Sequence, residues 1–111
     1  MSRILAAFER DRAEIESWFE HMHRNPELSW HELRTTALIT EVLGNAGIAV
    51  RALPGSGALV DLGAPEPRVR VALRADIDAL PLEEVTGLPF ASRNAGVCHA
   101  CGHDVHTVGV I

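Results

Sequence analysis

A chain of 111 residues that is 47% hydrophobic and 23% charged has the composition of a folded globular protein and lies far from that of disordered chains. Its formal net charge of −5, with all ten cationic side chains arginine, argues against a nucleic-acid partner, which needs clustered cations to displace counterions from phosphates. The first ten residues, Met1 to Arg10, place charge inside their only short apolar run and read as neither a secretion signal nor a membrane span. A cytoplasmic protein with no membrane partner is expected.

Residues 4–23 are predicted to form a helix, because Ile4, Phe8, Ala13, Ile15, Trp18 and Phe19 recur at roughly helical spacing among charged residues. Pro26 stops it, since proline disfavours helical geometry in the residue before it. A second helix is expected to open on a capping box, Ser29-Trp30-His31-Glu32, with Leu28 stapled onto Leu33. Leu33, Ala37, Leu38, Val42 and Leu43 continue it, and Gly44 or Gly47 is its stop. His21 and His31 read as surface histidines. His23 reads as a residue that packs or hydrogen-bonds near the end of the first helix, and Trp18 and Trp30 as packing residues.

After Gly47 the period shortens. Ile48 to Val50 and Gly57 to Leu62 are predicted as short strands around the turn Pro54-Gly55-Ser56-Gly57. Residues 68–74 alternate apolar and charged, as a strand entering a sheet does. Residues 76–100 form a long loop with the breakers Pro81, Gly87, Pro89 and Gly96; a loop of that length in a compact domain is functional or disordered. A helix begins at Asp104. The order of elements predicts an α/β domain, and the apolar run Val108 to Ile111 reads as an unfinished element.

The chemistry concentrates in Cys98-His99-Ala100-Cys101-Gly102-His103-Asp104-Val105-His106, with two thiols and three imidazoles within nine residues. A structural zinc finger needs two separated ligand pairs, whereas here every candidate crowds into one segment. A c-type haem site requires histidine directly after the second cysteine, a position held by Gly102. A Cys-x-x-Cys redox pair usually opens a helix in a βαβ unit, and here it follows a long loop. A fourth reading, favoured over these, is an open catalytic metal site to which this segment gives some of the ligands. Cys101 and His103 are two residues apart and face one side if extended, and Gly102 lets the backbone pass close to an ion. Asp104 is the local carboxylate available to orient an imidazole, and His106 lies one helical turn beyond His103. A second acidic cluster, Asp76 and Asp78, follows the third predicted strand, where α/β proteins place active sites. Read alone, it fits a solvated loop with an Asx turn before proline better; beside the Cys/His cluster, the site reading is favoured.

Leu73-Arg74-Ala75-Asp76-Ile77-Asp78-Ala79-Leu80-Pro81 together with His99-Ala100-Cys101-Gly102-His103-Asp104-Val105-His106 resembles the M20 metallopeptidase family. The similarity is to its amidohydrolase branch, with hippurate hydrolase, N-acyl-amino-acid hydrolases and auxin-conjugate hydrolases. His23 to Glu32, Leu82-Glu83-Glu84 and Gly87-Leu88-Pro89-Phe90 are similar to that branch as well. The resemblance implies that residues 1–111 are the N-terminal part of a zinc-peptidase-like catalytic domain, α/β with a central mixed sheet flanked by helices. The rest of that domain and a lid or dimerisation domain would lie outside the chain. It further implies Cys101 and His103 as ligands in a site for two divalent ions (Zn, Mn, Co or Ni), and is compatible with a homodimer. Asp76 and Asp78 are implied beside the site. Asp76 stands where related peptidases carry a ligand histidine, so both aspartates, like Asp104 and His106, are expected to support the ligands without touching metal. Cys98 stands where the branch has methionine.

The implied activity is hydrolysis of the amide bond of an N-acyl amino acid or similar small substrate. The general-base glutamate, a ligand glutamate and two further ligand histidines are expected beyond Ile111. Glu83 and Glu84 precede the Cys/His motif, whereas the family's glutamate pair follows it, so neither is assigned. The chain alone is expected to be inactive. The alternative is a truncated, non-catalytic metal-binding protein or pseudo-enzyme.

Overall fold

A computed structural model of the chain describes residues 2–111. Helix α1 spans Arg3–Arg24, one residue longer at each end than its periodicity predicts. Ser2 caps its start, its hydroxyl accepting from the Leu5 N–H at 3.2 Å. At its end the Asn25 N–H reaches back to the carbonyls of His21 and Met22, and Pro26 cannot continue the ladder.

Helix α2 spans Leu33–Asn45 and starts differently from the expected capping box. Its flanking residue is Glu32, whose side chain makes no cap hydrogen bond and instead accepts from the Ser56 hydroxyl at 2.5 Å. The free N–H groups of the first turn go to Glu27. Its carboxylate accepts from the Arg34 N–H at 3.1 Å and from the Thr35 N–H at 2.8 Å. A carboxylate seated at the positive end of a helix satisfies both the orphan donors and the dipole. Ser29 lies instead in a turn closed by the His31 N–H on the Leu28 carbonyl at 2.9 Å. Trp30 occupies a left-handed conformation there, φ 68°, and is 81% exposed, so it does not pack as expected.

Two short strands follow, β1 (Arg51–Ala52) and β2 (Ala58–Leu59), paired antiparallel with Arg51 opposite Leu59. The hairpin sits on α2, where the Thr36 hydroxyl accepts from the Gly57 N–H at 2.7 Å. Its strands are shorter than the sequence suggests, and β1 lies just after the predicted 48–50. The larger departure is at 68–74, which is not a strand. Val69, Val71 and Leu73 are 77%, 82% and 80% exposed. A strand needs a neighbour for its backbone hydrogen bonds, and no described strand lies beside this segment. The chain thus mixes helices with a small sheet, and among the described residues the expected central sheet is present only as this hairpin and two isolated bridges.

Helix α3 spans His103–Val110 and packs against α1. The long segment 76–100 between β2 and α3 has little regular structure, yet it is tied down along its length. Leu28 and Ala79 form a parallel bridge, Leu80 and Cys98 an antiparallel one. The Arg93 N–H bonds the Arg24 carbonyl at 2.9 Å, and the Asn94 amide bonds the Pro26 carbonyl at 2.7 Å. The loop therefore wraps the end of α1, which brings Asp78 and Cys98 to the start of α3. Met22, Ile39, Ala79, Cys98 and Val108 form the buried apolar set. No described helix is long and apolar enough to cross a membrane.

Candidate metal centre

Gly102 precedes α3 with φ 81°, a left-handed conformation that a β-carbon would strain. That turn sets the Cys101 and His103 side chains against the same backbone carbonyl. The Cys101 sulfur lies 3.9 Å from the Asp78 carbonyl oxygen, and His103 Nδ1 lies 3.0 Å from it. His103 Nδ1 is also 2.9 Å from Asp78 Oδ1. An Nδ1–H donating to both oxygens of Asp78 leaves Nε2 with the ring's lone pair. This carboxylate–imidazole arrangement is the one that fixes the tautomer of metal-binding histidines. Both side chains of the pair are part-exposed, His103 at 24% and Asp78 at 27%, so an ion has access.

The other carboxylates take different places. Asp104 turns away from His103: its Oδ2 lies 2.7 Å from His23 Nδ1, and its Oδ1 accepts from the Val105 N–H at 2.9 Å. The Asp76 carboxylate pairs with Arg74, while its carbonyl accepts from the Thr107 hydroxyl at 3.1 Å. His106 is exposed, its ring 6.0 Å from that of His103. Among the described residues no three His, Cys, Asp or Glu side chains group closely enough to hold an ion. This segment offers a donor pair.

Behind the pair lies a buried cluster that periodicity could not reveal. His23 stands between two carboxylates, with Nε2 3.1 Å from Glu84 Oε1 on the side opposite Asp104. The side chains of Asp104 and Glu84 are 2% and 6% exposed. Burial opposes a charge on His23, but the hydrogen bonds to Asp104 and Glu84 outweigh it and hold the ring above its ordinary pKa. Glu84 also accepts from the Thr86 hydroxyl and from the Ser92 N–H at 2.6 Å. The Thr86 bond foremost keeps it below the usual carboxylate range, against its burial. Glu83 accepts from the Gly96 N–H at 2.5 Å. Both glutamates are thus engaged in holding the loop. His99 is buried with neither ring nitrogen partnered among the described residues, and burial pushes its pKa down.

The family model of Peptidase family M20/M25/M40 matches residues 72–111, the stretch that contains Asp78, Cys101 and His103. The chain is 48% identical over 92 residues to the N-acetyl-L-cysteine deacetylase of Bacillus subtilis (strain 168), covering 82% of this chain and 22% of that one. It superposes on the crystal structure of the Bacillus subtilis YXEP protein, a dinuclear metal-binding peptidase of the M20 family, with a TM-score of 0.86 and 38% identity. That match covers 92% of this chain and 29% of the other. Residues 72–111 thus match peptidase family M20, and the chain is similar in sequence and fold to a member of that family. A similar segment, 48% identical over 100 residues and covering 89% of this chain, is found in a protein of Rhodococcus jostii (strain RHA1) named as a glutamate–cysteine ligase. There it is 12% of the whole. The chain spans between 12% and 28% of the length of such curated relatives. The match to solved M20 folds supports the α/β class expected from the order of elements.

Proposed function

We propose that residues 1–111 supply the N-terminal part of the catalytic domain of a metal-dependent amidohydrolase, cytoplasmic and acting on N-acyl amino acids or similar small amides. The observation that carries this reading is the contact of His103 Nδ1 with Asp78 Oδ1 at 2.9 Å, beside Cys101. It arms His103 Nε2 as a donor next to a thiol. Cysteine and histidine together suit zinc and its borderline neighbours. The dinuclear site named for the YXEP protein supports a pair of divalent ions here, and the deacetylase relative supports an N-acyl substrate.

In this proposal Cys101, as thiolate, and His103, through Nε2, are metal ligands. Asp78 fixes the His103 tautomer and the orientation of its ring. His106 stands at the outer side of His103, and Asp76 holds the first turns of α3 through its carbonyl and Thr107. Bound divalent ions would supply Lewis-acid polarisation of the amide carbonyl and a water activated near neutral pH. With two donors from this chain, the remaining ligands and the general base come from residues other than those described.

The natural gene product should bind divalent metal and release the amino acid from N-acetyl amino acids. Cys101→Ala and His103→Ala should each abolish metal-dependent turnover. Unaltered turnover in either variant would overturn the ligand assignment. Tight metal binding with no hydrolysis of any N-acyl amino acid would favour a non-catalytic metal-binding protein.

A further inference from the structure

His23 lies 81 residues from Asp104 in sequence and belongs to a different helix, yet it touches the residue that directly follows His103. Glu84 is held as a carboxylate by Thr86 and Ser92, so His23 Nε2, 3.1 Å away, carries a hydrogen. Nδ1 lies 2.7 Å from Asp104 Oδ2, a charge-assisted distance. A neutral imidazole has one N–H and would set a lone pair against one of these carboxylates. The imidazolium satisfies both. Its other neighbours are Phe19 of α1, Phe90 of the loop and the His99 ring, with centroids 5.6, 5.4 and 6.5 Å away. None of them offers a competing acceptor charge.

Asp104 is gripped from two sides, by His23 on Oδ2 and by the Val105 N–H on Oδ1. Gly102 gives α3 no side-chain cap of its own. The direction of the first turn of α3 therefore depends on this grip from α1, just as the His103 ring depends on Asp78. We propose that His23 is a positioning residue for the metal-binding pair: through Asp104 it fixes the turn from which Cys101 and His103 present their donor atoms. The inference rests on the assignment of Cys101 and His103 as ligands.

The test uses the natural gene product, with Co²⁺ as probe and its thiolate-to-cobalt charge-transfer band as readout. His23→Asn can place an amide N–H where Nδ1 stands and keep the grip on Asp104. His23→Gln reaches the Nε2 position and keeps only the contact with Glu84. Both lose the charge, so both should lose thermal stability. The Asn variant should bind Co²⁺ within a few-fold of wild type, and the Gln variant about 10-fold or more weaker, as for other groups that orient ligands from behind. If wild type shows no thiolate–cobalt band, the ligand assignment fails and this inference with it. If wild type shows the band and the Gln variant binds as tightly, the ligands stand and the role of His23 is overturned. Should neither variant fold, ¹⁵N-imidazole spectra of wild type titrated with Zn²⁺ decide. The His23 ring signals should move in step with those of His103, and His23 signals that stay fixed while His103 shifts overturn the inference.

Discussion

At the scale of single residues, Asp78 serves the pair twice. Its backbone carbonyl meets both Cys101 and His103, and its carboxylate holds the His103 ring. Only the carboxylate can be removed by substitution, so Asp78→Ala should leave the fold in place and weaken metal binding by about 10–100-fold. Competition against a chromophoric chelator would measure it, and an unchanged affinity would show that the carbonyl alone orients the ring. Trp30 is the opposite case. It is the single described non-glycine residue with positive φ, at 68°, and its indole is 81% exposed. A bulky residue in that region costs about 1–3 kcal/mol, and the exposed ring recovers little of it by burial. Trp30→Gly should therefore raise stability, less the extra chain entropy of glycine, giving a net gain of about 0.5–1 kcal/mol in a denaturant melt. A loss would mean that the indole holds something in place despite its exposure. The Cys/His pair was legible because its donors lie two residues apart, so local geometry alone places them. Asp104 was not. Its nearness to His103 in sequence suggested that it orients that ring, while its true partner, His23, lies on another helix.

At the scale of elements, the start of α2 shows what pattern reading misses. Ser29 and Glu32 have the spacing of a capping box, but the donors of α2 are met by Glu27, which reaches the N–H groups of Arg34 and Thr35 across the intervening turn. Glu27→Ala should destabilise the chain by about 1–2 kcal/mol, the usual cost of losing a cap, whereas Ser29→Ala should cost almost nothing. Equal effects in thermal melts would contradict the assignment. Burial acts to raise the Glu27 pKa, but the bonds from Thr35 and Arg34 outweigh it and hold the carboxyl below its ordinary value. Its stabilisation is therefore present above the pKa of the unfolded chain and fades as pH falls through the lower folded value. The α1–α3 contact has the reverse sign. His23 is raised from its ordinary 6.5, so its contribution is complete below that value and is lost as pH rises through the folded pKa. Stability measured by urea unfolding should fall in wild type as pH rises above 6.5 through the raised folded value. His23→Asn should flatten that limb, and a limb that survives the substitution must come from other groups.

At the scale of the whole molecule, the helices and the hairpin around Pro54–Gly57 were legible and the pairing of 68–74 was not, for one physical reason. A helix satisfies its backbone within its own segment, so the apolar repeat in 4–23 leads directly to α1. A strand is satisfied only by a neighbour, and the alternation in Arg68 to Arg74 says nothing about where that neighbour lies. The outcome is a segment whose Val69, Val71 and Leu73 side chains all face solvent beside unpaired backbone donors and acceptors. The long loop 76–100 is the converse: it lacks any repeat, yet contacts with Arg24, Pro26 and Glu27 order it. An apolar segment with unpaired backbone groups is a template on which another chain can form a strand, and three exposed branched side chains at alternate positions strengthen that tendency. The 111-residue chain expressed alone should therefore self-associate through 68–74. Replacing Val69, Val71 and Leu73 together by threonine keeps β-branching at 69 and 71, adds it at 73, and removes most of the apolar surface. Light scattering at matched concentration should then fall towards the monomer value, while the Asp78–His103 and His23–Asp104 contacts, which do not involve this segment, stay in place. Association undiminished by the triple substitution would move the sticky surface elsewhere, to the apolar groove between α1 and α3 where Ile4, Phe8 and Ile15 face Val105 and Val108.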